Sequence, residues 1–261
     1  MKCRVCDSDD LYLYYTQGNQ SQFHFHKCRE CGLVNYDLSG GIDQDKYTNN
    51  YVDPLNDNAR TNIGHEYTWR FIKENLTVNG RFLDIGCGNG KLLILAARHG
   101  WTVEGLELSD FYATKLKQTA GIPVHVVDFI DFNPGENEKY DLITLRHVFE
   151  HLPDPVKSIR KIKALLNPGG HVLMEFPNIE SMEAKNKRFL SRLGIRKKKY
   201  DPVYKPGHCN EFSRRSFSYL LDKTGFNLVI WETYSMNPIL NFIYKFFPVG
   251  SKARVLIRKR D

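Results

Sequence analysis

Three sets of residues have types and spacings suited to chemistry. The first is four cysteines. "CRVC" supplies Cys3 and Cys6, and "KCRECG" supplies Cys28 and Cys31, two C-x2-C pairs with 21 residues between them. Each pair fits a tight turn with both sulfurs facing one ion, and two such turns give the four thiolates of a tetrahedral zinc site. Four thiolates leave no open position, so the expected zinc is structural. Two disulfides are the alternative, and a reducing compartment disfavours them. Cys87 and Cys209 stand alone.

The second set lies in "RFLDIGCGNG". Phe82, Leu83 and Ile85 make a short apolar strand, and Gly86, Gly88 and Gly90 follow as G-x-G-x-G. "KLLILAARHG" then reads as a helix ending at Gly100. Glycines let a ligand approach the backbone closely, and a helix start offers unpaired N–H groups. Asp84 precedes the loop, and the next strand, "WTVEGLELS", ends at Glu107. A carboxylate at that strand end accepts both hydrogen bonds of a ribose diol. A glycine loop alone identifies no particular ligand.

The third set is "HVFEH", His147 to His151, with His208 of "YKPGHCNEFS". Written H-x-x-E-H, the first stretch matches a zinc-metalloprotease signature. That signature needs both imidazoles on one face of a continuous helix. Here "YDLITLR" runs in as a strand, and Pro153 and Pro155 follow at once, disfavouring a helix through the turn. His147, His151 and His208 are read instead as candidate bases. Ser213 is a plausible N-cap for the helix after His208.

These groups need elements to position them. "LYLYY" and "FHFHK" between the cysteine pairs suit two strands. Residues 1–36 therefore resemble a zinc ribbon, too small to fold on its core alone and stabilised by its metal. Residues 37–60, rich in Asp, Asn and Gly, read as a linker or lid containing Tyr47 and Tyr51. "TNIGHEYTWRFIKENL" reads as an amphipathic helix with Ile63, Tyr67, Phe71 and Ile72 near one face. Beyond the glycine loop come a helix ("DFYATKLKQTAG"), a strand ("IPVHVVD") and Asp128-Phe129. "YDLITL" follows as a near-continuous apolar strand. "DPVKSIRKIKALLNPGGHVLMEFPN" gives a helix, a Pro-Gly-Gly turn and another buried strand. Strands alternating with helices predict an α/β fold with an open, doubly wound, mostly parallel sheet. Ligands of such sheets bind beyond the carboxyl ends of the strands, where Asp84, Glu107, Asp128 and HVFEH all fall.

The composition, 41% hydrophobic and 26% charged, is that of an ordinary globular protein, with no apolar run long enough to span a membrane. The amino terminus lacks the apolar core of a signal peptide, so a cytoplasmic setting is expected. The net charge of +7 is uneven. Residues 185–261 carry 18 Lys/Arg against 5 Asp/Glu, and residues 1–184 carry 19 against 25. A basic face of this kind is either simply solvated or meets an anionic partner. "NPILNFIYKFFPVG" is unusually apolar. It reads as ordinary packing, a cap over the substrate or a shallow membrane contact.

"LDIGCGNG", "VEGLELS", "HVFEHLPDP" and "LLNPGGHVLMEFPN" together resemble class I S-adenosylmethionine-dependent methyltransferases across residues 80–178. A ribbon ahead of such a domain resembles methyltransferases of sugar, cell-surface and secondary-metabolite pathways. The resemblance implies a seven-stranded Rossmann-like sheet over residues 61–261, ending in the antiparallel strands "FNLVIWETY" and "ARVLIRKR". Residues 179–212 then form a basic substrate-cap insertion. Asp84, Gly86, Gly88 and Gly90 would cradle the methionine part of S-adenosylmethionine, and Glu107 would hold the ribose. Asp128 would meet the adenine amine with Phe129 against the ring, and His147 would lie near the methyl group. The read-alone alternative for Asp128 and Phe129 is a loop cap and a core aromatic. Glu150-His151 is similar to part of the metal-assisted quinone-precursor O-methyltransferase pattern E-x-x-E-H. His147 stands where that pattern has its first acid, which argues against a divalent metal there. The expected reaction is methyl transfer to oxygen or carbon of a small molecule, sugar or lipid-linked, anionic acceptor. The alternative is an RNA methyltransferase gripping the phosphate backbone. Peripheral contact with acidic membrane fits the same basic face.

Overall fold

The structure is a computed structural model describing residues 1–43, 59–77, 79–135, 138–193, 198–235, 241, 244 and 247–260. Its contacts divide it into two units. The first is Met1–Gln44, His147–Arg160 and Met174–Ile257; the second is Asp45–Arg146, Lys161–Leu173 and Arg258–Asp261. Most of the expected linker, with Tyr47 and Tyr51, lies outside the described residues, as does most of "NPILNFIYKFFPVG".

The second unit is built on β4 (Arg81–Ile85), β5 (Thr102–Glu107), β6 (Val124–Val126) and β7 (Tyr140–Arg146). β4 pairs in parallel with β5 on one side and β7 on the other, and β5 pairs in parallel with β6. Phe82, Leu83, Leu142, Ile143 and Leu145 are fully buried, as strands covered on both faces require. The register sets Ile85 beside Leu106 and Leu145, so the carboxyl ends of these strands share one edge.

Helices α1 (Ala59–Asn75), α2 (Lys91–Arg98) and α3 (Asp110–Ala120) lie in this unit. Along α1 the buried side chains are Thr68, Trp69, Phe71 and Ile72, whereas Ile63 and Tyr67 are exposed. The apolar face expected from the sequence is therefore corrected in its first half. Trp69 turns inward against His99, with rings 5.0 Å apart, and takes the place Tyr67 was expected to fill.

α4 (Pro155–Leu165) leads directly into β8 (Leu166–Pro177). The Asn-Pro-Gly-Gly segment, expected as a separate turn, is thus the start of the strand. Leu166 O accepts from Lys259 Nζ at 2.8 Å and Gly169 O from Arg258 Nε at 3.3 Å, which ties this segment to the chain's last strand. With β10 (Phe226–Tyr234) and β11 (Lys252–Lys259), the seven-stranded sheet has the order β10-β11-β8-β7-β4-β5-β6. It is the mostly parallel, doubly wound sheet expected. Among the described residues no helix is long and apolar enough to cross a membrane.

In the first unit β1 (Leu11–Gln17) and β2 (Phe23–Cys28) form the antiparallel pair expected between the cysteines. Two short strands extend it, β3 (Val34–Tyr36) and β9 (Asn210–Glu211), in the order β1-β2-β3-β9. A strand from residues 210–211, far downstream, thus completes the ribbon's sheet. Phe23, Phe25, Val34, Tyr36 and Ile179 form its core, with Tyr15 stacked on Phe25 at 4.5 Å. The first half of α4, α5 (Met182–Arg192) and α6 (Arg214–Thr224) lie in this unit. Ser213 caps α6 in a capping box with Ser216, as expected of that serine.

Glu211 enters this aromatic core. Tyr15 Oη donates to its Oε1 at 2.7 Å, while Oε2 is buried without a hydrogen bond among the described residues. Burial pushes its carboxyl up to about 7, against the opposing pull of the Tyr15 hydrogen bond and the Arg188 charge. A carboxyl raised on folding binds its proton more tightly in the folded state. Its contribution to stability is therefore present at low pH and lost as pH rises toward and through 7. Glu211→Gln keeps the acceptor for Tyr15 but cannot ionise. The expected outcome is a higher melting temperature than wild type at pH 8, and no such gain at pH 5.

Candidate functional site

The glycine loop occupies the shared edge at the end of β4. Gly86, Gly88 and Gly90 have φ of 70°, 52° and 67°, a left-handed region that favours glycine. At Gly90 a Cβ would also lie 2.2 Å from the Leu116 side chain, which would have to shift to admit it. Gly86 N and Cys87 N donate to Leu106 O at 2.8 and 3.1 Å, which fastens the loop to β5. Glu107, at the end of β5, completes the fastening. Its Oε2 accepts from Gly88 N at 2.8 Å and its Oε1 from Ser109 N at 3.0 Å. Each oxygen keeps a further lone pair for a ligand hydroxyl. Asp84 is buried in β4 and accepts from the Thr144 hydroxyl of neighbouring β7. Burial, with the charges of Asp84 and Glu107, pushes the Cys87 thiol well up, so it is no nucleophile.

The loop after β6 is arranged more plainly. Asp128 Oδ1 accepts from Ile130 N at 2.8 Å, an Asx turn. Phe129 is buried with Lys161 Nζ 5.5 Å from its ring centre. Local geometry thus gives both residues structural work, and their part in binding adenine stays a proposal. At the carboxyl end of β7, Arg146 Nη1 lies 2.6 Å from His65 Nδ1 of α1. The sequence reading passed over both residues.

HVFEH, in the first unit, is not helical as a protease would need. His147 directly follows β7 and has a left-handed backbone, φ 57°, held by its N–H donating to Glu175 O at 2.7 Å. Phe149–His151 form a single 3-10 turn, and α4 begins only at Pro155. The turn buries Glu150, 1% exposed, and gathers imidazoles around it. His147 Nδ1 lies 3.4 Å and His151 Nε2 3.9 Å from Glu150 Oε1. The ligand-type atoms of Glu150, His151 and His208 lie within 4.8 Å of one another, and the His151 and His208 rings meet edge to face at 4.8 Å.

Electrostatics explains why the cluster persists. Burial alone would raise the Glu150 carboxyl. The His147 contact and the charges of His151, His147 and His208 outweigh it, and the carboxyl is held below its ordinary range. His208 is shifted down by burial, partly offset by Glu150. His151 Nδ1 lies 2.8 Å from Gly207 O, and a carbonyl only accepts, so that nitrogen carries the proton. Its Nε2 is thereby turned toward the carboxylate. Cys209 N donates to Glu150 O at 2.9 Å, and the Cys209 thiol, pushed up to about 11 by burial, donates to His151 O at 3.2 Å. All three predicted histidines are therefore brought together. The residue that gathers them, Glu150, was visible in the motif but was not taken for the centre. Lys252, with Nζ 3.2 Å from His147 Nε2, was missed because nothing in its surroundings in "VGSKARV" marks it.

The four ribbon cysteines also converge. Cys3 and Cys31 sulfurs lie 3.5 Å apart, Cys6 and Cys28 sulfurs 3.4 Å, and all four within 4.8 Å. None is in a disulfide. Zinc–sulfur bonds of about 2.3 Å in a tetrahedron place sulfurs about 3.8 Å apart, so the set fits one zinc ion.

Comparison with known proteins gives a consistent picture. Residues 60–230 match a family model described as "Methyltransferase domain". The chain is similar to a ubiquinone biosynthesis O-methyltransferase of Coxiella burnetii, 30% identical over 114 residues, 42% of this chain and 49% of that protein. It is 34% identical over 103 residues to the same-named protein of Vibrio parahaemolyticus, 38% of this chain and 44% of that one. It thus spans under half the length of these relatives. Among solved structures, the magnesium protoporphyrin IX methyltransferase of Synechocystis PCC 6803 with bound SAH has the same fold. The TM-score is 0.55 at 15% identity, over 83% of this chain and 91% of that one.

The Glu107 tether yields a prediction that needs no ligand. Glu107→Ala strands the Gly88 and Ser109 N–H groups, at a cost of about 1–3 kcal/mol. Chemical denaturation is expected to show that loss, and hydrogen exchange to show faster exchange confined to the glycine loop and Ser109.

Proposed function

The chain belongs to the methyltransferase-domain family, and on that premise we propose that it moves a methyl group from S-adenosylmethionine to a hydroxyl of a small anionic acceptor. The observation that carries this reading is the left-handed glycine loop after β4, tied by the carboxylate that ends β5. Asp84, Gly86, Gly88 and Gly90 would hold the methionine part and Glu107 the ribose, with Asp128 and Phe129 at the adenine. When bound, the cofactor supplies the electrophilic methyl group of a sulfonium. The protein's own share is to orient the acceptor and receive its proton. His147, His151 and His208, gathered on a buried ionised carboxylate, are suited to that share. Oxygen is preferred to carbon because the relatives matched above are named O-methyltransferases.

The acceptor's anionic character is inferred from the basic carboxyl-terminal third, and a sugar or lipid-linked compound suits it as well as a free phenol carboxylate. Met182 and Phe189 on α5 and Leu193 just beyond it are exposed by 61%, 58% and 56%, seven and four residues apart beside Lys185 and Lys187. Such a stripe favours peripheral contact with an acidic lipid surface. The RNA reading gains nothing from the relatives.

The ribbon is read as a structural unit of residues 1–36, joined through 37–60 to a methyltransferase domain of 61–261 carrying the insertion at 179–212. Cys3, Cys6, Cys28 and Cys31 would hold its zinc, and a free-thiol set of this kind suits the cytoplasm.

Titration calorimetry tests the central claim. Wild type should bind both S-adenosylmethionine and its demethylated product, Glu107→Ala should bind at least about tenfold more weakly, and a wild type that binds neither refutes the reading. For the ribbon, elemental analysis should find one zinc per chain. Cys28→Ser or a strong chelator should lower the melting temperature, whereas a metal-free chain of unchanged stability would rule the zinc out.

A further inference from the structure

A cavity of about 650 Å³ lies wholly within the first unit, where the turn of the first cysteine pair meets the start of α4. Five cationic side chains line it: Lys2, Arg4, Lys157, Arg160 and Lys223. Two carboxylates face them, Asp7 and Asp154, and both are already engaged. Asp7 Oδ2 pairs with Lys223 Nζ at 2.6 Å, and the same amine donates to Val5 O at 2.8 Å. Asp154 caps α4. Its Oδ1 accepts from Lys157 N at 2.8 Å and its carbonyl from Ser158 N at 3.0 Å. Among the described residues no carboxylate stands within ion-pairing distance of Lys2, Arg4, Lys157 or Arg160.

Arg4 is the most firmly placed of these four. It lies between Cys3 and Cys6, and Asn35 of β3 holds it from inside the fold. Asn35 is fully buried. Its Oδ1 accepts from Arg4 N at 3.0 Å and from Arg4 Nη1 at 3.5 Å, and its own Nδ2 donates to Leu33 O at 3.2 Å. Arg4 Nη2 donates to Tyr36 O. These acceptors are neutral. They orient the guanidinium, use two of its five N–H donors and leave its charge uncompensated at contact distance. Lys157 and Arg160, three residues apart, share one face of α4, and both are exposed. The capping carboxylate of Asp154 offsets the positive end of that helix, so the excess charge of the cavity comes from side chains. Cations gathered around one recess repel one another, and a bound anion removes that repulsion.

We propose that this cavity binds a phosphate group, carried by a small soluble molecule or by a lipid headgroup, with Lys2, Arg4, Lys157 and Arg160 around the anion. A phosphate monoester brings close to two negative charges and three acceptor oxygens, which several donors can share. A carboxylate brings one charge and two oxygens. The oriented guanidinium suits two phosphate oxygens at once, and the lysines act as point charges. The cavity is far larger than a phosphate group and falls in the size range of small-molecule sites, so it has room for the carrier. The ribbon then does more than brace the fold, because its first turn supplies half of a binding site. No residue assigned above to S-adenosylmethionine or to the histidine cluster lines this cavity, and the proposal stands apart from the methyl-transfer reading.

The test titrates the full chain at pH 8, where phosphate monoesters are dianions. Inorganic phosphate and glycerol 3-phosphate are the probes, followed by amide NMR. Both should saturate below about 10 mM and shift the signals of residues 2–7 and 154–160 together. Lys157→Glu and Arg160→Glu should each weaken binding at least about tenfold. Both side chains are exposed, so melting temperatures close to wild type are expected and are measured alongside. Lys117→Glu, exposed on α3 in the other unit, makes the same change in net charge and should leave the affinity within about twofold. Absence of saturation, signal changes spread over the whole basic face, or a Lys117 variant as weak as the other two overturns the proposal. Sedimentation with phosphatidylcholine vesicles containing phosphatidate separates the two carriers. Retention that Arg160→Glu abolishes and glycerol 3-phosphate competes away upholds the site with a lipid headgroup. Retention indifferent to Arg160→Glu, beside saturable binding of glycerol 3-phosphate, upholds it with a soluble ligand. A chain that binds these probes but no S-adenosylmethionine refutes the methyl-transfer reading and leaves this site standing.

Discussion

A carboxylate taken out of water must be paired, and Glu150 is paired with imidazoles. Its burial would cost several kcal/mol if left uncompensated. Much of the first unit is arranged to avoid that cost. The left-handed backbone of His147 and the single 3-10 turn through His151 bring two rings onto the carboxylate from one short segment. His208 comes from 57 residues further on, and its neighbour Cys209 is bonded by N–H to the Glu150 carbonyl. That bond also fixes the entry to β9, the strand that completes the ribbon's sheet. Tyr36 N donates in turn to Cys209 O at 3.0 Å. The histidine cluster and the amino-terminal ribbon are therefore joined through one strand of two residues.

The second unit solves a different problem by similar means. A loop of three left-handed glycines has little intrinsic preference for one shape. It is held by backbone bonds to Leu106 O and by the Glu107 carboxylate at Gly88. Because β4 and β5 are parallel and in register, a residue at the end of β5 is necessarily beside the loop that follows β4. Glu107 thus shapes the loop before it meets any ligand. This is preorganisation, which lowers the entropic cost of binding.

The curated relatives match this chain over less than half of their own length. The histidine cluster has its own chemistry. In H-x-x-E-H the first position is His147, whose Nε2 lies 3.2 Å from Lys252 Nζ. A second acid beside Glu150 would add repulsion in the same buried space. An imidazole brings no second negative charge, and its Nδ1 faces Glu150 Oε1 at 3.4 Å.

The sequence by itself determined the periodic elements, the parallel sheet, the glycine loop with Glu107 and the cysteine spacing. All of these rest on local patterns: apolar runs, turn residues and short-range spacing. It also disfavoured a helix running on through HVFEH, since Pro153 and Pro155 restrict the residues that precede them. Less was legible where partners are distant. The α1 face was misjudged because Trp69 and Tyr67 suit burial equally by type, and only the contact with His99 decides between them. β9 is two residues long, and no periodicity survives at that length. Lys252 carries no motif of its own, and a lysine opening a strand reads as a solvated charge. Only the tertiary structure set that lysine 105 residues from His147 in sequence and 3.2 Å from it in space. Proton-transfer networks are fixed by distances of a few tenths of an ångström between remote segments, which one-dimensional spacing does not encode.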